Sequence, residues 1–171
     1  MATIHVLDET TINKIAAGEV VERPASVIKE LIENSIDASA TNIEIEIGEG
    51  GVAYMRITDN GIGMTEEDAR LAILRHATSK IQQVEDLFDI ASLGFRGEAL
   101  ASIASVSHFS LTTRKADSDL GTRITVDGGT FTDCIPYGAA PGTTIEIKDL
   151  FYKYLSCEII SYESDFIAKI P

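Results

Sequence analysis

The clearest pattern of hydrophobic positions in the chain begins at Pro24. Apolar residues follow at the three- and four-residue spacing of a helix, at Val27, Ile28, Leu31, Ile32 and Ile36. Proline suits the first helical turn, where its missing N–H has no partner inside the helix. The pattern therefore predicts a helix that turns one apolar face towards a core, and a shorter helix capped by Thr10 or Thr11 is predicted before it.

Alternating positions predict a hairpin directly after this helix. Residues 42–48 carry isoleucine at every second position with glutamate between, which is the pattern of a half-buried strand. The glycines between 48 and 51 suit a turn, and residues 52–58 supply the second strand. Four more strands are predicted at residues 109–114, 123–127, 130–135 and 143–148.

Two further helices are predicted in the middle of the chain. Thr65 to Asp68 resembles a capping box that opens a helix through Leu71, Ile73 and Leu74, and residues 97–106 are rich in alanine, leucine and isoleucine. Residues 76–93 have no sustained periodicity and are expected to form a loop or lid. Helices mixed with antiparallel hairpins predict an α+β sandwich, with helices on one face of a sheet.

Composition narrows the classes of function. Acidic residues outnumber basic ones by 27 to 14, for a formal charge of -13. This disfavours nonspecific nucleic-acid binding, because phosphate neutralisation needs clustered lysine and arginine. A triphosphate stays compatible with the charge, since magnesium and backbone N–H groups can hold it. The chain has two cysteines and three scattered histidines, no membrane-length apolar run and no signal peptide, so we expect a cytoplasmic protein without a disulfide framework.

Glu30 and Asn34 are the first candidates for chemistry. Four residues apart on a helix, they share one face. A carboxylate beside an amide oxygen suits a magnesium site together with a base for water. Taken alone, the pair fits a solvated helix face better, because both residue types are common on helices.

Asp59 is the second candidate, because it follows a predicted strand and precedes Gly61 and Gly63. Its carboxylate can accept a hydrogen bond from an exocyclic amine such as adenine N6, and the glycines allow a ligand to approach the backbone. An ordinary Asp-Gly turn explains the same residues equally well. The sequence contains neither a GxGxxG nor a GxxxxGK[ST] motif, so it does not support a Rossmann or P-loop site.

Two glycine-containing segments complete the candidates. Residues 94–100 open a predicted helix, whose first N–H groups and dipole favour an anion, and Arg96 adds positive charge. A plain joint between loop and helix is the alternative there. Thr144, two residues after Gly142, can reach a base or its ordered water, although threonine is common in strands.

The order of these segments closely resembles the MutL family of DNA mismatch repair proteins, which belongs to the GHKL ATPases with gyrase, the heat-shock chaperone and histidine kinases. The likeness runs from about Ile4 to Tyr152. It is carried by five segments: Ile15-Ala-Ala-Gly-Glu-Val-Val-Glu-Arg-Pro24, Glu30-Leu-Ile-Glu-Asn-Ser-Ile-Asp-Ala38, Asp59-Asn-Gly-Ile-Gly63, Arg75-His-Ala-Thr-Ser-Lys80 and Leu93-Gly-Phe-Arg-Gly-Glu-Ala-Leu-Ala-Ser-Ile103.

The resemblance implies a Bergerat-type two-layer sandwich, with a mixed, mainly antiparallel sheet and a site for ATP and Mg²⁺. By motif position, Glu30 is expected to be the general base, Asn34 the magnesium ligand and Asp59 the adenine anchor. Thr144 is expected to support Asp59, while Ala38 and Gly63 line the base pocket. The remaining nucleotide contacts are expected at Thr78, Ser79, Lys80, Gly94, Phe95, Arg96, Gly97, Glu98, Ala99 and Leu100.

The resemblance also implies a domain boundary at Tyr152. Residues 1–152 are expected to form the ATP-binding domain. The family continues with Asn-Thr-Pro-Ala-Arg, whereas this chain continues with Lys153-Tyr-Leu-Ser-Cys157. Residues 153–171 are therefore interpreted as a divergent tail at the start of a second subdomain. In the family, that subdomain lends a lysine to the terminal phosphate.

The implied function is binding of Mg-ATP, with weak hydrolysis in the longer protein, to drive conformational change and coordinate mismatch repair. Implied partners are mismatch-recognition and other repair proteins, a nucleotide-dependent second copy and, in the longer chain, DNA, but no membrane. The alternative is an ATP-binding switch or interaction module without turnover. For this chain alone, the absence of the lysine-bearing subdomain favours that alternative. A histidine-kinase ATP domain fits poorly with the MutL-like segments.

Overall fold

The computed structural model describes residues 23–75, residue 77 and residues 98–152, together with the backbone of 166–170. Its helices are α1 (Pro24–Asp37), α2 (Glu66–Ala72) and α3 (Ala99–Ser105). Its strands are β1 (Ile43–Gly48), β2 (Tyr54–Asp59), β3 (His108–Arg114), β4 (Gly121–Asp127), β5 (Thr130–Tyr137), β6 (Gly142–Lys148) and β7 (Phe166–Ile170). The helix predicted near Thr10 lies outside the described residues, as does the lid predicted at 76–93 except for residue 77.

The seven strands form one sheet in the order β5-β4-β3-β6-β2-β1-β7, and each described pairing is antiparallel. Because β6 enters between β3 and β2, it brings together segments far apart in the sequence. Its first residues lie beside the end of β2, where Thr143 pairs with Asp59. The α+β fold and the mainly antiparallel sheet predicted from the sequence are confirmed.

The core lies between one face of the sheet and the three helices. Val27 and Leu31 of α1 and Ile103 of α3 are at most 1% exposed. Burying a side chain of this size stabilises a fold by roughly 1.5 to 3 kcal/mol. The helices pack on alternate residues of the strands, which include Ile43, Ile45, Met55, Ile57, Phe109, Leu111, Ile124, Val126, Ile145 and Ile147.

Three apolar residues that helped to predict the helices are on the surface. Ile36, Leu71 and Leu74 are each more than half exposed. The buried line of α1 runs instead through Val27, Leu31 and Ser35, at i, i+4 and i+8, so the next residue along the chain points about 100° away from it. Leu74 lies beyond the end of α2 at Ala72.

The second strand begins two residues later than predicted, because the turn before it is longer. Glu49–Gly51 forms a 3-10 turn in which Gly50 and Gly51 have φ of 64° and 87°. A Cβ on Gly51 would lie 2.9 Å from the Cβ of Pro24. Glycine therefore allows the hairpin turn to pass closely over the start of α1.

Two predicted local motifs occur in the structure. Gly128 and Gly129 connect β4 to β5 with φ of 51° and 86°, as the tight hairpin requires. Thr65 caps α2 by accepting a hydrogen bond from the Asp68 N–H at 3.1 Å. The Asp68 carboxylate accepts from the Thr65 hydroxyl at 2.7 Å, so the two side chains are also hydrogen-bonded to each other.

Of the helices in the described ranges, none has the length and apolar character to cross a membrane.

Candidate functional site

Asp59 stands at the last position of β2, held on three sides by hydrogen-bond donors. Its Oδ1 accepts from the N–H of Gly61 at 2.9 Å and from the N–H of Thr143 at 3.2 Å. Its Oδ2 accepts from the Ser35 hydroxyl at 3.0 Å. These donors come from the loop after β2, from β6 and from α1. The carboxylate is therefore fixed in orientation and presented as a hydrogen-bond acceptor.

Burial raises the pKa of the Asp59 carboxyl above its usual value, and this effect outweighs the three donors. Hydrogen bonds from Gly61, Ser35 and Thr143 act in the opposite direction, because donors stabilise the charged form. An acidic group that is half-buried and held by donors is typical of a binding site rather than of a solvated turn. Beyond the local turn contact with Gly61, Asp59 is bonded to α1 through Ser35 and to β6 through Thr143.

The glycines around Asp59 allow backbone segments to meet where a side chain would not fit. A Cβ on Gly61 would lie 2.6 Å from the carbonyl oxygen of Ala38, whose oxygen also accepts from the Ile62 N–H at 2.9 Å. On Gly63, at φ +65°, it would lie 2.1 Å from the carbonyl oxygen of Arg114. The predicted pocket residue Ala38 therefore lies beside Asp59, while Gly63 is packed against the end of β3.

Gly142 makes the closest of these approaches to Asp59 itself. It has φ of +117°, and a Cβ there would lie 2.1 Å from the Asp59 carbonyl oxygen. The approach puts the following residue, Thr143, in position to donate its N–H to the carboxylate. The sequence drew attention to Gly142 only as a neighbour of Thr144, but its backbone conformation sets the geometry of the site.

Thr144 does not lie where the resemblance suggested. It pairs with Thr58, and its hydroxyl is 3.2 Å from the Thr58 hydroxyl. Because successive side chains of a strand point to opposite faces, both lie on the face away from the helices, whereas Asp59 and Thr143 lie on the helix face. The structure thus brings Thr143, rather than Thr144, to the carboxylate.

Glu30, Asn34 and Ala38 follow one another at four-residue intervals along α1. Glu30 and Asn34 are half-buried. The Asn34 carbonyl oxygen accepts from the Ala38 N–H at 3.0 Å. Residues at this spacing lie on one helix face, so the three form a row that starts beside Gly61 and leads away from Asp59. Within residues 23–75 and 98–152, no three histidine, cysteine or acidic side chains come together as metal ligands.

The other predicted nucleotide contacts are only partly described. Thr78, Ser79 and Lys80, and Gly94 to Gly97, lie outside the described residues. Glu98 occupies the N-cap position of α3, where its side chain forms no capping hydrogen bond, and Ala99 and Leu100 begin the helix. Helix α3 starts two residues later than predicted, and its role towards a ligand stays a prediction.

Ser35 and Thr143 contact Asp59 but were not among the predicted site residues. A signal for Ser35 was present in the sequence, because a polar residue four positions after Leu31 continues the buried line of the helix. Thr143 acts through its backbone N–H, which no side-chain pattern reveals. The contact depends on the pairing of β2 with β6, and these strands are separated by more than eighty residues.

Comparison with known proteins identifies the family to which the chain belongs. The model for histidine kinase-, DNA gyrase B- and HSP90-like ATPases matches residues 22–130. The chain therefore belongs to that ATPase family. A curated relative, the DNA mismatch repair protein MutL of Caldanaerobacter subterraneus subsp. tengcongensis, is 59% identical over 152 residues, which are 89% of this chain and 26% of the relative.

A second curated relative and a solved structure are also MutL proteins. MutL of Xanthomonas axonopodis pv. citri is 56% identical over 149 residues, which are 87% of this chain and 24% of that protein. A solved structure, the Aquifex aeolicus MutL ATPase domain complexed with ADP, is 34% identical with a TM-score of 0.58, covering 80% of this chain and 46% of its own. The chain spans about a quarter of the length of the curated relatives it matches. The predicted resemblance to MutL is confirmed.

Proposed function

We propose that this chain is the ATP-binding domain of a MutL-type DNA mismatch repair protein and that it binds Mg-ATP beside Asp59. One observation carries the proposal: the Asp59 carboxylate is held by donors on both oxygens and still has room to accept another hydrogen bond. Membership of the ATPase family and the ADP of the A. aeolicus MutL structure support an adenine nucleotide as the ligand.

The row of Glu30, Asn34 and Ala38 along α1 suggests how the rest of the nucleotide would be oriented. Ala38 and Asp59 would contact the base, and the backbone of α1 advances about 12 Å over the eight residues from Ala38 back to Glu30. The triphosphate would then extend towards Asn34 and Glu30. The amide oxygen of Asn34 suits Mg²⁺, which prefers oxygen ligands and commonly shares its coordination with phosphates and water.

Glu30 would act at the far end of this row. Its carboxylate would accept a proton from the water that attacks the terminal phosphorus, and ADP would leave as the bond from that phosphorus to the β–γ bridging oxygen breaks. Asn34 would contribute an oxygen ligand to the magnesium. Bound magnesium would offset part of the triphosphate charge. We propose hydrolysis for a longer MutL-type protein that includes the next subdomain. For the same protein we propose the coordination of repair proteins, DNA and a second copy.

Titration calorimetry with ATP and GTP, each with magnesium, tests the base site directly. We expect the parent chain to prefer ATP and Asp59→Ala to bind ATP roughly tenfold to a hundredfold more weakly, as for the loss of a hydrogen bond to a charged group. Asp133→Ala, on the exposed strand β5, is the matched control and should bind like the parent. Equal ATP affinity in the parent and Asp59→Ala would show that the nucleotide binds elsewhere.

A further inference from the structure

The Ser35 hydroxyl lies between two acceptors at nearly equal distances. Its Oγ is 3.0 Å from Oδ2 of Asp59 and 3.1 Å from the carbonyl oxygen of Leu31. The residue is only 3% exposed. A serine has one hydroxyl hydrogen, so it can donate fully to one of these acceptors at a time. Since both acceptors are within reach, the hydroxyl is satisfied in either orientation.

We propose that Ser35 is a positioning residue for base recognition: its hydroxyl holds the Asp59 carboxylate as an acceptor and thereby sets the preference for a base with an exocyclic amine over one with a carbonyl oxygen. This inference rests on the proposed nucleotide site. Discrimination between adenine and guanine nucleotides would then depend on the Asp59 carboxylate and also on its contact with Ser35, which joins α1 to β2.

The distribution of donors over the two oxygens singles out Ser35. Oδ1 already accepts from two backbone N–H groups, those of Gly61 and Thr143. Oδ2 accepts from Ser35 and therefore has accepting capacity for one more donor. When an amine donates to Oδ2, Ser35 can keep its bond or turn to Leu31. A base that presents a carbonyl oxygen instead would face an acceptor, which is repulsive.

The protonation of Asp59 gives the inference a second readout. Burial raises the pKa of the Asp59 carboxyl, and the Ser35 hydrogen bond is one of the contacts that lower it. Removing the hydroxyl should raise this pKa further. Recognition of an amine needs the ionised form, so binding is present above the pKa and declines as pH falls through it. A protonated Asp59 can donate to a carbonyl oxygen, which would reduce the discrimination.

Among the residues that the structure describes, the hydrogen-bonding groups that lower this pKa are all uncharged. They are Ser35 on α1, Gly61 in the following loop and Thr143 on β6. A change in the pH dependence of binding in a Ser35 variant would therefore report on the contact between Ser35 and Asp59.

The test compares ATP and GTP affinities of the parent and Ser35→Ala by calorimetry, with magnesium, from acidic to neutral pH. We expect the ratio of ATP to GTP affinity at neutral pH to fall by about tenfold, the lower end of the effect of a hydrogen bond to a charged group. The pH at which ATP affinity declines should move upwards. Ser35→Cys, which keeps the size but is a weaker donor, should lie between the two.

Ser107→Ala is the matched control. Ser107 is also buried and donates to the carbonyl oxygen four residues earlier, Ile103 at 2.8 Å, and none of the described carboxylates is its partner. It should change the melting temperature without changing the affinity ratio or its pH dependence. If Ser35→Ala does not fold, the Ser35→Cys comparison decides the question.

Two results separate this inference from the proposed function. If both Ser35 variants keep the parental affinity ratio and pH dependence while Asp59→Ala loses ATP, the positioning role is wrong and the nucleotide site stands. If Asp59→Ala binds ATP as tightly as the parent, the nucleotide site itself is wrong, and the inference fails with it.

Discussion

The hydroxyl oxygens of Thr113 and Thr143 lie 3.0 Å apart and join β3 to β6 next to the Asp59 site. Thr113 also accepts from the N–H of Met64 at 2.9 Å and donates to the carbonyl oxygen of Gly142 at 3.0 Å. The buried Thr113 hydroxyl therefore connects Met64, in the loop after Gly63, to β6, whose Thr143 donates to Asp59. The positions of the loop and of the carboxylate are set together.

Thr113→Val keeps the shape of this residue and removes its hydroxyl. We expect a loss of about 1 to 3 kcal/mol in the free energy of unfolding, because the Met64 N–H loses its acceptor. Urea denaturation followed by circular dichroism measures the change. Thr132→Val removes an exposed hydroxyl whose partner in the described part of the chain is Thr125, and it should have a much smaller effect. Equal losses in the two variants would contradict a special role for Thr113.

Gly142→Ala should distort the site as well as the fold. The residue has φ of +117°, and a Cβ would lie 2.1 Å from the Asp59 carbonyl oxygen. We expect destabilisation of roughly 2 kcal/mol or more, with a loss of ATP affinity, since strain and a backbone clash act together. Gly138→Ala is the control, because a Cβ there has no atom within 4 Å. A Gly142→Ala variant with parental stability and ATP binding would refute this account.

Asp59→Asn should separate stability from binding. The folded-state pKa of Asp59 is raised, so the charged form is disfavoured by folding, and this penalty develops as pH rises through that pKa. Asparagine can accept from Gly61 and Thr143 through its oxygen and donate to Ser35, which then turns to Leu31. We expect equal or higher melting temperature at neutral pH and weaker ATP binding. Lower stability at neutral pH would show that the ionised carboxylate stabilises the fold.

Glu30→Ala should separate binding from hydrolysis. We expect ATP affinity to stay near that of the parent, because the proposed base contact at Asp59 and Ala38 lies about two helical turns from Glu30. In a longer protein that includes the next subdomain, we expect hydrolysis to fall by about a hundredfold or more, as for loss of a general base. A single-turnover assay with labelled ATP measures this. Loss of ATP binding in Glu30→Ala would make Glu30 a structural residue.

Tyr152 gives a spectroscopic probe of the opposite end of the sheet. Its ring stacks on His108 at 4.2 Å, its hydroxyl donates to Asp127, and its pKa is raised to about 12, with burial as the largest cause. The stability linked to this proton is present below the unfolded-state pKa of 10.0 and is lost as pH rises towards 12.

Absorbance titration should therefore show a late-ionising tyrosine that Tyr152→Phe removes. Asp127→Asn should move its pKa down towards 10.0, because the charge and the hydrogen bond to Asp127 both raise it. An unchanged titration in Asp127→Asn would mean that burial alone sets this pKa. The chain has five tyrosines and no tryptophan, so the phenolate signal is not obscured by indole absorbance.

Local patterns were sufficient to predict much of the fold. The alternation of isoleucine and glutamate predicted β1, and Pro24 predicted the first residue of α1. The glycine pair at 128 and 129 predicted a hairpin whose φ angles the structure bears out. Such features depend on residues close together in the chain, where side-chain periodicity and backbone preference act directly.

The site was less accessible to this reasoning because it is assembled from distant segments. Asp59 was proposed from its place after a strand, but its partner Thr143 could be found only once β6 was known to lie beside β2. Thr144 was predicted to support Asp59, but its hydroxyl contacts Thr58 on the other face of the sheet, and Thr143 makes the contact instead. A one-residue error in a strand moves a side chain to the other side of the sheet.

The backbone donors of Asp59 also bear on how this site would respond to mutation. An N–H at position 143 is supplied by every residue type except proline, so the donor to Oδ1 would survive most substitutions there, although most of them would remove the hydroxyl contact with Thr113. The Oδ2 contact, in contrast, depends on a single side chain. For the proposed nucleotide site, substitutions at position 35 of α1 would then alter base preference more readily than most substitutions at position 143 of β6, and proline at 143 would remove one of the two donors to Oδ1.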